Sequence, residues 1–371
     1  METGVFLKKI IIYSEVSWNF LEQRHHHLAR YAASAGWSVE FVSRVYSRFP
    51  SFKDIFYRFF RFKIKTVKNS FNTKNIPQNI VLRRSLFLPS TTVLSSMFNL
   101  IIWFILERKR QRNTIVYSFI DNPYIVGNGS KYSLFKTSVF DIIHNWWSFP
   151  WNAKSHIRLV GKCLTCYEKI VTDSPHISAK LEKEQCFHML MLPGVTYDWL
   201  HCSSESLVPK ALFFGNLRRN SDLNLVKIVS KCLGLDIIGL VDPSVTNEIG
   251  RAKYLGNFNG EAIFQVIKNY NILLLPYNNS DFSKTIAPAK YFEALATGSL
   301  VITCADMSHL PGFHDFIFKV NIGSRNLKEQ LSERLISHRR IRDDQISFAK
   351  KNLWNHRFEL LFADLIENNN E

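Results

Sequence analysis

The chain has 371 residues, 46% of them apolar and 30 of them Phe, with a formal charge of +16 and a mean hydropathy of −0.08. Two ordinary domains fit that length, and the apolar content excludes a disordered chain. No run nears the roughly 20 apolar residues of a membrane span.

From the start, Lys9 to Tyr13 reads as a strand. The apolar stretch behind Lys8 and Lys9 is too short for a secretion signal, and six scattered cysteines suit a reducing compartment. A cytoplasmic protein is expected. Leu21 to Ala35 is a helix, with Leu21, Leu28, Ala32 and Ala35 at helical spacing and Gly36 as its end. Val39 to Val42 is the next strand. Met97 to Leu106, broken by Asn99 and closed by a Glu-Arg-Lys-Arg run, reads as a buried or interfacial helix. Strands follow at Thr114 to Phe119, Val139 to Ile143 and Lys169 to Thr172, then a helix opening at Pro175 and a strand at Met189 to Leu192. A polar stretch around Ser203 to Ser206 reads as a linker. The alternation then restarts with strands at Ala211 to Phe214, Asp236 to Val241, Tyr254-Leu255, Asn271 to Pro276 and Leu300 to Thr303. The helices among them are Asp222 to Leu233, Gly260 to Lys268 and about Pro288 to Thr297. Ile346 to Glu367 is a helical tail. Strands and helices in alternation predict parallel α/β sheets, twice over.

Between Arg44 and Arg112 stand fifteen Lys and Arg against two acids, Asp54 and Glu107, interleaved with rings such as Phe56, Phe59 and Phe60. Such a segment suits an anionic membrane surface, where rings enter the interface and cations meet head groups. It also suits single-stranded nucleic acid, and it is compatible with a solvated basic face over an ordinary core. Cys163 and Cys166 have zinc or redox spacing, but no second pair follows, so buried helix thiols are the better reading.

The richest stretch runs from Tyr270 to Thr303, YNILLLPYNNSDFSKTIAPAKYFEALATGSLVIT. An apolar strand leads through a polar loop to a helix opening near Pro288, with Lys290 in its first turn and Glu293 one turn deeper. A helix start beyond a strand's carboxyl end offers free amides and a positive dipole to an anion. A carboxylate one turn in could hold a ribose diol. The residues alone say nucleotide site, although any α/β crossover produces similar sequence.

The block PxKxFEALATG followed by an apolar strand resembles the donor site of GT-B glycosyltransferases, family four and its relatives in particular. LFFGNLRRNSDLNLV (Leu212 to Val226), YLGNF (Tyr254 to Phe258), IVTDSPHISAKLE (Ile170 to Glu182) and WNFLEQRHHHLARYAASAGWSVEFV (Trp18 to Val42) resemble other family segments, in the same order. The resemblance covers most of the chain outside about 43–113. It implies an α/β protein of two Rossmann-like domains with parallel sheets facing a central cleft. The N-terminal acceptor domain would span 1–195 with a basic aromatic insert at about 44–112. A linker would follow at 196–208, the donor domain at 209–345, and at 346–371 a helix packing back toward the N-terminal domain.

The resemblance further implies that Glu293 binds the donor ribose, and that Gly215, Lys290 and the loop residues Thr285, Ile286 and Ala287 line the donor. Arg218 and Arg219 would contact the diphosphate, in place of the usual Arg and Lys that fall on Asn216 and Ser221; two exposed turn arginines are the plainer reading. Thr285 stands where the common pattern has its first glutamate, which puts the identity of the sugar in doubt. In VFDIIHNWW, His144 is the expected catalytic residue facing the cleft, with Asp141 a second candidate on the opposite side of the strand; a structural imidazole is the alternative. Arg24 and His25 are candidate acceptor contacts.

The expected activity is transfer of a hexose from a UDP-linked donor to a saccharide or polyprenyl-linked acceptor in bacterial surface-polysaccharide synthesis. Retention rather than inversion is expected, without a metal, a cofactor or nucleic acid. The enzyme would sit peripherally on the inner face of the cytoplasmic membrane, held by the basic segment. A nucleic-acid-binding α/β protein and a GT-B sugar-nucleotide epimerase are the alternatives.

Overall fold

A computed structural model of the chain describes residues 8–20, 22–45, 76–129, 131, 134–148, 153–202, 208–219, 221–258, 261–324 and 326–367. The ring-rich core of the basic segment, including Phe56, Phe59 and Phe60, and the polar stretch Ser203 to Ser206 lie outside these residues. The chain divides into two compact units. Unit 1 comprises Met1–Asp173, Ile177–Met191 and Leu361–Glu371; unit 2 comprises Ser174–His176 and Leu192–Leu360.

Among the described residues, unit 1 holds seven strands: β1 (Lys9–Tyr13), β2 (Ser38–Ser43), β3 (Ile80–Arg84), β4 (Ile115–Ser118), β5 (Thr137–Ile142), β6 (Lys169–Thr172) and β7 (Met189–Leu190). They pair in parallel in the order β3-β2-β1-β4-β5-β6-β7. Helix α1 (Arg24–Ser34) links β1 to β2. Helix α2 (Val93–Ile102), continued by a wide π turn at Trp103–Glu107, lies between β3 and β4. Helix α3 (Ala153–Cys166) leads to β6, and α4 (Pro175–Lys183) follows it. Cys163 and Cys166 are free thiols at the end of α3, the first of them buried. β3 was not predicted: in its sequence IVLRR only Ile80 is buried, as on an edge strand, so no alternation announces it. Met97 to Leu106 does form a helix, with its polar residues turned inward.

Among the described residues, unit 2 holds β8 (Ala211–Phe214), β9 (Leu235–Ile238), β10 (Lys253–Gly256), β11 (Ile272–Leu274), β12 (Leu300–Thr303) and β13 (Ile317–Lys319). All are parallel, in the order β10-β9-β8-β11-β12-β13. Helices α5 (Leu223–Cys232), α6 (Glu261–Ile267) and α7 (Ala289–Ala296) connect them. The strands are apolar on both faces because both faces are covered. Leu212, Phe214 and Leu273 pack with Tyr291, Phe292 and Leu295 of α7, while Ala211, Phe213, Ile272 and Leu274 pack with Leu225, Val226 and Val229 of α5. After β13 come α8 (Leu327–His338), α9 (Arg342–Lys351) and α10 (Trp354–Glu367). The predicted single tail helix is thus two, parted where Leu353 leaves the helix to bridge Val195.

Candidate functional site

In both units the strand order reverses beside the first strand, between β1 and β4 and again between β8 and β11. Open parallel sheets bind ligands at such reversals, beyond the carboxyl ends of the strands, where the loops on either side part.

In unit 2 the loop after β8 lies there. Gly215 has φ +136°, open to glycine, and space excludes a side chain as well: a Cβ on it would stand 2.2 Å from Cε of Lys290. The lysine stem therefore lies across Gly215, with its Nζ 5.5 Å from the centre of the Phe214 ring. Gly239, just past β9 with φ +116°, is pressed on Gly215 in turn; a Cβ there would meet the Gly215 carbonyl oxygen at 2.1 Å. The loop is tied to its neighbours by backbone bonds, Leu217 N to Leu240 O at 2.8 Å and Asp222 N to Pro276 O at 2.7 Å.

Pro288 is the residue that caps α7, in extended conformation, and no side chain caps this end. Glu293, one turn in from Lys290, is pushed up in pKa by burial, and the Lys290 charge pulls it partly back. Its own charge, after burial, pushes the Tyr277 phenol further up. In the loop before α7, the Thr285 hydroxyl donates to Phe282 O at 2.9 Å. The Ile286 carbonyl accepts from His309 Nε2 at 2.9 Å, and Ala287 is buried in the core. Ser283 Oγ donates to Asn278 Oδ1 at 3.0 Å, which stiffens the loop from within. Arg218 and Arg219 are exposed in the turn after β8, where Arg219 Nε donates to Ser244 Oγ at 3.1 Å.

Unit 1 gathers ionisable groups at the same end of its sheet. Arg24, the first residue of α1, donates through Nε to Asp141 Oδ2 at 2.8 Å and through Nη1 to Met191 O at 2.5 Å. The Tyr117 hydroxyl donates to the same Asp141 oxygen at 2.7 Å. Asp141 has no exposed surface; burial pushes its pKa up and Arg24 opposes that. His144 lies beyond β5, its Nε2 2.7 Å from Glu15 Oε1 past the end of β1. Burial lowers the imidazole pKa, but the Glu15 bond and charge outweigh it, so the net shift is upward. Glu15 moves the other way: burial raises it and the bond to His144 brings it below its ordinary value. Asp173, directly after β6, is pushed up to about 7 by burial, with Arg24 opposing and Asp141 adding to the rise. His25 is buried against Phe119 with ring centres 3.9 Å apart. Neither of its ring nitrogens has a hydrogen-bond partner among the described residues, and burial holds its pKa well down.

No protein-family profile matches the chain, and no curated protein matches it either. Solved structures do. A glycosyltransferase from Rickettsia africae is 14% identical, with 98% of this chain and 100% of that one covered at a TM-score of 0.63. WaaG, a glycosyltransferase involved in lipopolysaccharide biosynthesis, is 12% identical, with 97% and 100% covered at 0.59. HepE of Anabaena, solved with UDP and glucose, is 11% identical, with 95% and 99% covered at 0.58. The fold is GT-B.

Within this GT-B fold the structure brings together Gly215, Lys290 and Glu293 of the predicted donor residues, and Arg24 with Asp141 of the predicted unit 1 residues. Thr285 bonds within its own loop, Ala287 is part of the core, and the Ile286 carbonyl is taken by His309. His25 lies at the start of α1 but bonds neither Asp141 nor His144. Sequence reasoning missed Glu15, Asp173 and the Asp121–His156 pair, buried at 2.6 Å. Glu15, Asp121 and Asp173 each stand one to three residues past a strand end, and an ionisable residue at that offset is the signal that could have found them.

Proposed function

We propose that the chain is a glycosyltransferase that moves a hexose from a UDP-linked donor to a hydroxyl of a saccharide or polyprenyl-linked acceptor, beside an anionic membrane face in bacterial surface-polysaccharide synthesis. The observation that carries the reading is the packing of Lys290 across Gly215 at the strand-order reversal of unit 2, with Glu293 one turn deeper. HepE, of the same fold, is solved with UDP-glucose, which supports a donor of that class here.

In this reading the uncapped end of α7 and the Lys290 ammonium take the diphosphate, and Glu293 accepts hydrogen bonds from the ribose. Arg218 and Arg219 meet the outer phosphate. Fixed positive charge favours the departing diphosphate most in the transition state, where its negative charge grows. In unit 1, His144, steadied by Glu15, faces the acceptor hydroxyl, and Asp141 acts through Arg24 as a positioning residue. The reading stays with retention, which the histidine behind β5 supports by family resemblance, and it asks for no metal. Exposed cations such as Arg84, Lys109 and Arg112 support the membrane side of the reading.

The test is calorimetric titration with UDP, UMP and uridine, followed by turnover of a nucleotide-sugar panel. Glu293→Ala should weaken UDP at least tenfold, about 1.5–3 kcal/mol for a lost pair of ribose bonds. Arg218→Ala should weaken UDP more than uridine. A wild-type chain that ignores UDP while binding single-stranded RNA would overturn the reading.

A further inference from the structure

We infer that the helical stretch Val93–Glu107 is the element that seats this chain on a bilayer, laying its outward side chains into the interface of an anionic membrane. The inference deepens the membrane side of the reading above and does not depend on the chemistry of unit 2.

The helix is inside out. A surface helix ordinarily turns its apolar stripe to the core and its polar residues to water. Here the inward residues recur every fourth position, Ser95, Asn99, Trp103 and Glu107, none more than 5% exposed. The outward ones include Val93 at 77%, Leu94 at 80%, Met97 at 59%, Ile101 at 54%, Phe104 at 58% and Ile105 at 63%. An α-helix drifts by about 40° over every four residues, so a period of four would wind off the core. The wide turn at Trp103–Glu107 turns the stripe back.

Hydrogen bonds fix this orientation. Asn99 accepts from Leu88 N and donates to Leu88 O, both at 2.8 Å, and donates to Ser90 Oγ at 2.8 Å. Trp103 Nε1 donates to Gln111 Oε1 at 2.9 Å, and Glu107 accepts from the Tyr13 hydroxyl at 2.7 Å. Rolling the helix to hide Leu94 and Ile101 would break these bonds, at about 1–3 kcal/mol for each buried group left without a partner. The apolar face is therefore held outward by the fold, and contiguous exposed apolar surface of this kind marks a contact.

Charge decides the occupant. Arg108 lies over the Phe104 ring at 5.5 Å, and Lys109, Arg112 and Arg84 are exposed in the flanking chain. The neighbouring acids are spent internally: Glu107 pairs with Arg110, and Glu40 with Arg83, Arg110 and Lys9. An apolar face with a cationic rim fits anionic lipid head groups over acyl chains. A second copy of the chain would bring cations against cations.

The experiment is flotation of the full chain with phosphatidylcholine vesicles, with and without phosphatidylglycerol. The wild type should bind only with phosphatidylglycerol and less as salt rises. Leu94→Ser/Met97→Ser/Ile101→Ser should lose at least tenfold in partitioning at an unchanged or higher thermal midpoint, because these side chains already face water. Leu94→Ser alone serves as the milder variant should the triple one fold poorly. If the variants float like wild type, the inference fails while the membrane reading survives through the rest of the basic segment. A wild type that ignores phosphatidylglycerol overturns both. A concentration-dependent dimer, seen by ultracentrifugation and lost in the same variants, would make the face a protein contact and overturn the inference.

Discussion

Gly215 and Gly239 occupy neighbouring strand ends, and each is needed for a different reason. At Gly239 an added methyl group would strike backbone, which cannot step aside; at Gly215 it would strike a lysine stem that can, though at the expense of the lysine's place. Gly234 has positive φ as well, +74°, but open space around it. Gly234→Ala should therefore cost about 1–2 kcal/mol, the conformational penalty alone, whereas Gly239→Ala should exceed it by at least about 2 kcal/mol. Urea unfolding of the two variants measures the difference. In unit 1 the run His25-His26-His27 separates into different surroundings. His26 accepts from Gln23 N at 3.1 Å and so presents its Nε2 proton to Ser17 O at 3.2 Å, fastening the start of α1. His25 beside it packs on Phe119, and burial holds its pKa well down. The Glu15–His144 pair links stability to pH. His144 stands above its ordinary 6.5, so its share is complete below 6.5 and is lost as pH climbs through the raised value. Glu15 stands below its ordinary 4.5, so its share is complete above 4.5 and is lost as pH falls through the lowered value. The pair thus contributes most between 4.5 and 6.5. Glu15→Gln should lower the thermal midpoint most in that window, by the equivalent of ~1 kcal/mol since both groups are about a third exposed. A pH series of melting curves would reveal a gap that narrows toward alkaline pH.

Among the elements, the buried parallel strands were legible because each is a short, continuous apolar run. Lys169–Thr172, Ala211–Phe214 and Leu300–Thr303 begin and end where the sequence places them. The first helix begins at Arg24, where Gln23 N donates to His26 Nδ1; Leu21, the start that apolar spacing suggested, lies outside the described residues. β3 and the split between α9 and α10 were not legible. An edge strand buries little, and the break at Leu353 is imposed by a partner far off in sequence, Val195, rather than by a local Pro or Gly. The helix carrying Asn99 was legible as a helix, but its orientation was not, since apolar periodicity normally points inward. Asn99→Leu makes that point measurable. It would add apolar bulk at a fully buried site, yet it should destabilise by about 1–3 kcal/mol, because the Leu88 N–H loses its acceptor and the Leu88 carbonyl keeps only the longer bond from Asn122 Nδ2 at 3.5 Å. Chemical denaturation of the variant checks the sign.

At the scale of the whole molecule, alternation and the strand-to-helix crossover announced the α/β architecture. Lys290 and Glu293 were legible because β11, the loop and α7 are contiguous in sequence. The cluster around Arg24 and Asp141 was legible only in part, because β1, β4, β5 and β6 are dispersed from Lys9 to Thr172 and only the order of strands in the sheet assembles their ends. That same dispersal reaches its extreme in the final stretch of the chain. Unit 1 takes its last piece from Leu361–Glu371, where Phe362 lies on Tyr31 and Trp37 at 5.3 and 5.0 Å and the Asp364 carboxylate pairs with Lys169. During synthesis, Tyr31 and Trp37 leave the ribosome early and wait while the whole of Leu192–Leu360 is made, roughly ten to thirty seconds at ordinary translation rates. The unit begun first is therefore finished last, and for that interval Tyr31 and Trp37 lack the Phe362 ring that packs on both.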